Sequence, residues 1–287
     1  MYLPEKGTSG FAITYLKSTT DTTMTYQDRI YYDGEIDNSY INIEAGYVLV
    51  KNFGFTVEVD YYMDDETNIT YGPASSSNGT SKKYESEGRT DPTINLRGRI
   101  LEQSKNNFNI DIFVSFSPKT GDAESSSTTK KGNKFRGGSK SELGFNIGTK
   151  YSKFELMGGA SISLIGSRDD KELVDNTQTS YDSYTEFSVS GSVNFHITDQ
   201  IYLGGTLAMI NMSNIDYTNS GSKTTIDIDD YYIFGITAGY EIVKNSVLLE
   251  GNFVVSSGLE ASYTSGSTIL EKEEDTQVIG VGLKFQL

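Results

Sequence analysis

The chain has no cysteine, no tryptophan, four prolines and a single histidine in 287 residues. Without cysteine there is neither a disulfide framework nor a thiolate zinc site. With His196 the only imidazole, any histidine-dependent hydrolase would have to be built on that one side chain. No stretch approaches 18 consecutive apolar residues, which excludes a membrane-spanning helix. Positive charge is short as well. Lys and Arg number 24 against 39 Asp and Glu, and the formal net charge of −15 has the wrong sign for a nucleic-acid partner. The acidic stretches Asp64-Asp65-Glu66, Asp169-Asp170 and Asp227-Ile228-Asp229-Asp230 lack the glycine and closing glutamate of an EF-hand loop. They read as solvated loop charges, and neither a metal ion nor a cofactor is expected. No secretory leader precedes Tyr2; an exported protein of this sequence is expected to have lost one.

What the chain does have is alternation. About twelve segments run apolar-polar with period two, the last of them setting Ile279, Val281, Leu283, Phe285 and Leu287 against Gly280, Gly282, Lys284 and Gln286. They group as five hairpins between a single first and a single last strand. Short turns fall around Lys51–Phe53, Ser104–Asn107, Ser152–Lys153, Asp199–Gln200 and Lys244–Ser246. Long polar connections are expected at Thr19–Asn38, Tyr71–Lys83, Thr120–Ser139, Asp169–Tyr184, Asn219–Ile226 and Gly258–Asp275, the last partly as strand extending above a membrane.

Aromatics of one parity sit beside the short turns: Tyr47, Phe55, Phe108, Tyr151, Phe154, Phe195, Tyr240 and Phe285. That is an interfacial girdle. A soluble sandwich or lipocalin-like barrel would also alternate. Here, however, the polar parity is rich in Gly and Ser, and the apolar parity is confined to a band beside the short turns. Mean hydropathy is −0.40, which a membrane barrel tolerates because only every second residue meets lipid. The expected fold is therefore all-β: one transmembrane antiparallel up-and-down barrel of about twelve strands over residues 1–287, with short periplasmic turns and long extracellular loops.

With the apolar parity outward, the other parity lines the lumen. It carries Glu44, Glu58, Asp60, Asp111, Glu142, Glu155, Glu186, Glu241 and Glu250 against Arg97, Arg99, Lys150 and Lys284. Hairpin register places Asp111 opposite Arg97 or Arg99, and Glu58 and Asp60 lie on the far side of those arginines, so an acid-arginine-acid cluster is expected on one wall. Strands further round offer Gly159, Ser161, Ser163, Ser190, Ser192 and Thr206. Such a wall can filter solutes by size and charge; the bland alternative is that the ions neutralise and brace one another. A barrel of about twelve strands suits a narrow bore, and the acidic excess a mild cation preference. His196 points inward just before the turn at Asp199, where neither a lipid-facing nor a surface active site would lie, so no enzyme is expected. A second reading is a surface-recognition or adhesion barrel that acts through its loops. Inward Tyr62, Tyr202, Met157, Phe113 and Ile210 leave a filled or greasy interior open.

The ending Gly282-Leu283-Lys284-Phe285-Gln286-Leu287 fits the glycine-x-x-apolar-x-apolar close of Gram-negative outer-membrane barrels, which the chain resembles over almost its whole length. Gly46–Phe55 and Phe195–Gly204 read strand, turn, strand. They are similar to small transport-type barrels, including the phenol-degradation meta-pathway transporter family. The resemblance implies a bacterial outer-membrane location and passive diffusion of small solutes. Its implied partners are outer-membrane lipid, lipopolysaccharide and, through the terminal motif, the barrel-assembly machinery. About ten residues before the first strand are too few for a helix threading the pore as in an autotransporter.

Overall fold

The computed structural model describes residues 8–103, 106–127, 129–172 and 177–286. Eighteen strands lie among them: β1 (Ser9–Tyr26), β2 (Arg29–Val50), β3 (Phe53–Tyr71), β4 (Ser81–Arg89), β5 (Thr93–Leu101) and β6 (Asn109–Ser117). There follow β7 (Ala123–Ser125), β8 (Lys140–Tyr151), β9 (Phe154–Ile165), β10 (Arg168–Glu172), β11 (Gln178–Tyr181) and β12 (Tyr184–His196). The chain ends with β13 (Ile201–Met212), β14 (Ile215–Asn219), β15 (Ser222–Ile228), β16 (Tyr231–Val243), β17 (Val247–Ser265) and β18 (Thr268–Gln286).

Twelve of these strands close a ring in the order β1-β2-β3-β5-β6-β8-β9-β12-β13-β16-β17-β18, with every neighbour antiparallel. Closure leaves no strand edge unpaired in lipid, which is the only way a sheet can cross a bilayer. The β1–β18 seam is long. It runs from Gly10 opposite Gln286 to Thr25 opposite Glu271, and the rings of Phe11 and Phe285 stand 6.3 Å apart across it. Leu287, the last residue of the terminal motif, lies outside the described residues.

Polarity is inverted relative to a soluble protein. The outward parity is apolar and bare, with Ile236 63%, Ile279 59% and Leu143 54% exposed, whereas Ser117, Ser163 and Asp111 are buried. A surface like this is stable only against lipid. Tyr151, Phe154, Phe195 and Tyr240 are exposed beside the short turns, as a girdle requires.

The short turns fall where the alternation breaks. Asn52, Ser152 and Asn245 adopt left-handed φ of 69°, 54° and 59° there, a region asparagine tolerates better than most residues. The turn between β5 and β6 contains Ser104 and Lys105, outside the described residues.

The long connections depart from expectation. Thr19–Asn38 is not a loop: β1 and β2 continue as a ladder to Tyr26 opposite Arg29, turning on Gln27 and Asp28 with φ of 51° and 59°. Asn219–Ile226 is likewise mostly hairpin, turning at Ser220 and Gly221. Asp169–Tyr184 holds β10 and β11, Thr120–Ser139 holds β7, and Gly258–Asp275 is β17–β18 ladder, as partly expected. Above the membrane the outer face meets water instead of lipid, and the buried inner face of β1 mixes Thr22 with Met24, so alternation disappears while the Thr-rich strand propensity remains.

These extensions form a second closed tier. From β1, β2 and β3 it passes through β4 to Gly132, which bridges Ser86. Asn133 then bonds Glu124 of β7. The circuit continues through β10, β11, β14, β15, β17 and β18 back to β1. Its interior packs Ile215, Ile226 and Ala261 against Tyr181, Tyr184, Tyr217 and Tyr263. On its outer face acids meet across the ladder: Asp21 lies opposite both Asp275 and Glu35, and Asp37 opposite Glu66.

Candidate functional site

On the β2–β3 wall the inward alternation places Glu44 opposite Glu58 and Asn42 opposite Asp60. The outward neighbours Ile43, Val57, Val59 and Tyr61 put these rows inside the lipid-facing band. The Asn42 amide donates to Glu58 Oε1 at 2.7 Å and to Asp60 Oδ1 at 2.7 Å. Among the described residues no lysine or arginine makes an ion pair with Glu44, Glu58 or Asp60. Like charges as direct cross-strand partners destabilise a ladder.

The arginines sit lower. Arg99 faces Asp111 and grips it bidentately, Nε to Oδ1 at 2.7 Å and Nη2 to Oδ2 at 3.0 Å, with both side chains only 8% exposed. Arg97 lies opposite Gly54 while Glu58 lies opposite Thr93, four residues further along the wall. Arg and acid pairs therefore occupy different levels, and the expected acid-arginine-acid cluster resolves into two separate features. The Arg97 guanidinium stands 5.9 Å from the Phe113 ring centroid. A cavity of about 30 Å³, room for a single water, opens between Arg99, Asp111, Asn146, Glu155 and Met157.

A third group runs along the periplasmic end from β9 to β18. His196 Nε2 lies 3.5 Å from Glu155 Oε2, and its ring centroid is 5.9 Å from that of Tyr202. The Tyr202 hydroxyl donates to the Glu250 carboxylate, which also takes Lys284 Nζ at 2.6 Å on Oε1. Tyr202 can cross to β17 only because the intervening β16 residue is Gly239, where a Cβ would overlap the phenol ring.

The remaining expected residues scatter. Glu186 meets Lys140 at 3.4 Å, and Glu142 faces Ser115 and Ser163. Lys150, opposite Glu155, is exposed. Glu241 accepts the Asn245 backbone N–H at 3.1 Å and so caps a periplasmic turn. Opposite the acidic wall, the inward Met157, Ser190 and Thr206 are exposed, so small and flexible side chains leave solvent-accessible space against β9, β12 and β13.

The sequence matches no protein-family model and no curated protein. Solved structures do match. An outer membrane channel from Pseudomonas putida F1 aligns with a TM-score of 0.62 over 96% of this chain and 97% of its own, at 12% identity. The transport unit of the autotransporter AIDA-I from Escherichia coli aligns at 0.59 over 99% and 92%, at 9% identity. The translocator domain of autotransporter NalP from Neisseria meningitidis aligns at 0.52 over 98% and 89%, at 12% identity. The fold is that of a bacterial outer-membrane β-barrel. At these identities the likeness concerns architecture alone, and channels and autotransporter units share it.

Several lumen residues stand beside those expected from the sequence. Asn42 holds the acidic rows, and Tyr40 stacks on Tyr62 at 4.6 Å and 15°; both were visible as inward parity. Lys140 was visible in the same way. Lys134, which reaches Asp65, lies in a stretch without alternation, where no local signal points to the lumen.

Proposed function

We propose that the barrel is an outer-membrane channel for passive diffusion of small solutes, with a narrow bore that prefers cations. The observation that carries this reading is the acidic group Glu44, Glu58 and Asp60. Wall bracing accounts well for Arg99–Asp111 and Glu250–Lys284, where opposite charges meet. It does not account for two glutamates set directly opposite each other, of which only Glu58 takes the Asn42 amide, shared with Asp60. Direct cross-strand partners have Cβ atoms about 5 Å apart, and two like charges at that separation repel by about 3 kcal/mol at an effective dielectric of about 20, a cost that a passing cation relieves. A bore walled by low-dielectric protein focuses that negative potential along its axis. The exposed Met157, Ser190 and Thr206 support open space beside it.

A second reading draws on the packed, closed extracellular tier, whose tyrosine-rich core suits a rigid platform for surface recognition. Liposome swelling with sugars of graded size separates the two. The channel reading expects swelling that falls off with solute size; no swelling with any solute would favour the recognition barrel.

A further inference from the structure

One ammonium of the chain already occupies the acidic wall. Tyr62 and Asp65 are three residues apart, which in a regular strand sets them on opposite faces. The β2–β3 register slips at Ser39/Tyr40, leaving Met63 without a partner, and this bulge turns both side chains inward, as bulges beside functional sites often do. Lys134 Nζ then lies 4.5 Å from the Tyr62 ring centroid and forms an ion pair with Asp65. The far face of Tyr62 is backed by Tyr40, so one aromatic face is left for the cation.

The lysine is delivered by a fixed backbone. Two residues before it, Gly132 N–H donates to Glu85 O at 2.9 Å. Two residues after it, Arg136 N–H donates to Asp91 Oδ2 at 2.8 Å. Directly below Tyr62 on the same wall come Asp60 and then Glu58, each step about 6.6 Å along the strand.

We propose that the Tyr62 face and the Asp65 carboxylate form a receptor for a primary ammonium, filled at rest by Lys134, and that alkylammonium solutes compete for it on their way to Asp60 and Glu58. The proposal rests on the cation-channel reading and names its solute class. An aromatic face with one carboxylate suits a weakly hydrated organic ammonium on an apolar stem better than a strongly hydrated metal ion, which needs several oxygen ligands. The tethered lysine competes at an effective concentration in the millimolar range or above, so it must leave before a solute enters.

The test uses the full-length barrel in planar bilayers, with n-butylammonium added to the extracellular side. Lys134→Met should lower the half-blocking concentration by about tenfold, the competitor being gone. Adding Tyr62→Leu to that variant should raise it again by about fivefold, the worth of an aromatic face to a cation. Equal block of wild type and Lys134→Met would overturn the proposal. The wild-type K+ over Cl− preference, measured without amine, tests the channel reading separately. Should no current flow at all, calorimetric titration of n-butylammonium into the detergent-solubilised barrel decides the receptor: tighter binding by Lys134→Met supports it, and no difference overturns it.

Discussion

At the scale of single residues the lumen separates ions that brace from ions that do not. Arg99 and Asp111 are bidentate and buried, so removing one partner strands the other. Asp111→Asn should cost about 3–5 kcal/mol in urea unfolding from lipid vesicles, and Arg99→Met with Asp111→Leu should recover most of it. A single substitution without effect would show the pair to be solvent-screened. Gly239 makes a different demand, since a Cβ there overlaps Tyr202. Gly239→Ala should destabilise the barrel by about 1–3 kcal/mol through overpacking. In a Tyr202→Ala background the same change should cost little, because the two sites share one space. Additive costs in that cycle would contradict the contact.

At the scale of the strand, function follows parity. Ile236 faces lipid at 63% exposure, and Thr237 is next to it on the lumenal side. Ile236→Lys should destabilise by about 2–4 kcal/mol near mid-membrane. Thr237→Lys should leave unfolding almost unchanged and weaken cation preference instead; the reverse pattern would invert the assignment of faces. Parity was also what made the strands readable from sequence. Where one face meets lipid, the alternation of Phe187, Val189, Val193 and Phe195 with Glu186, Ser188, Asn194 and His196 is clear, and the short turns followed from where it stops. In Thr19–Asn38 the outer face meets water rather than lipid and the buried inner face carries Thr22 as well as Met24, so the pattern that reveals a strand is absent although the strand is present. The Arg99–Asp111 pair was legible to within one alternation step, since hairpin register left only two arginines. The separation of Glu58 from Arg97 was not, because the register of β3 against β5 is fixed by a turn and a bulge rather than by local pattern.

At the scale of the whole molecule, two closed tiers divide the work. The membrane tier is an inside-out barrel, with apolar side chains outside and hydrogen-bonded polar rows within. The extracellular tier holds the only packed apolar cluster among the described residues and much of the acidic surface behind the net charge of −15. Between them, at the level of Tyr62 and Asp65, one loop lysine enters the bore. A cation-preferring bore requires that Glu44, Glu58 and Asp60 act on permeating ions. The most direct test is the zero-current potential of the reconstituted barrel across a KCl gradient, compared with Glu44→Gln/Glu58→Gln/Asp60→Asn. Cation selectivity is expected in the wild type, reduced severalfold in the triple variant. Anion selectivity in the wild type, or a selectivity that the triple variant leaves untouched, would contradict it.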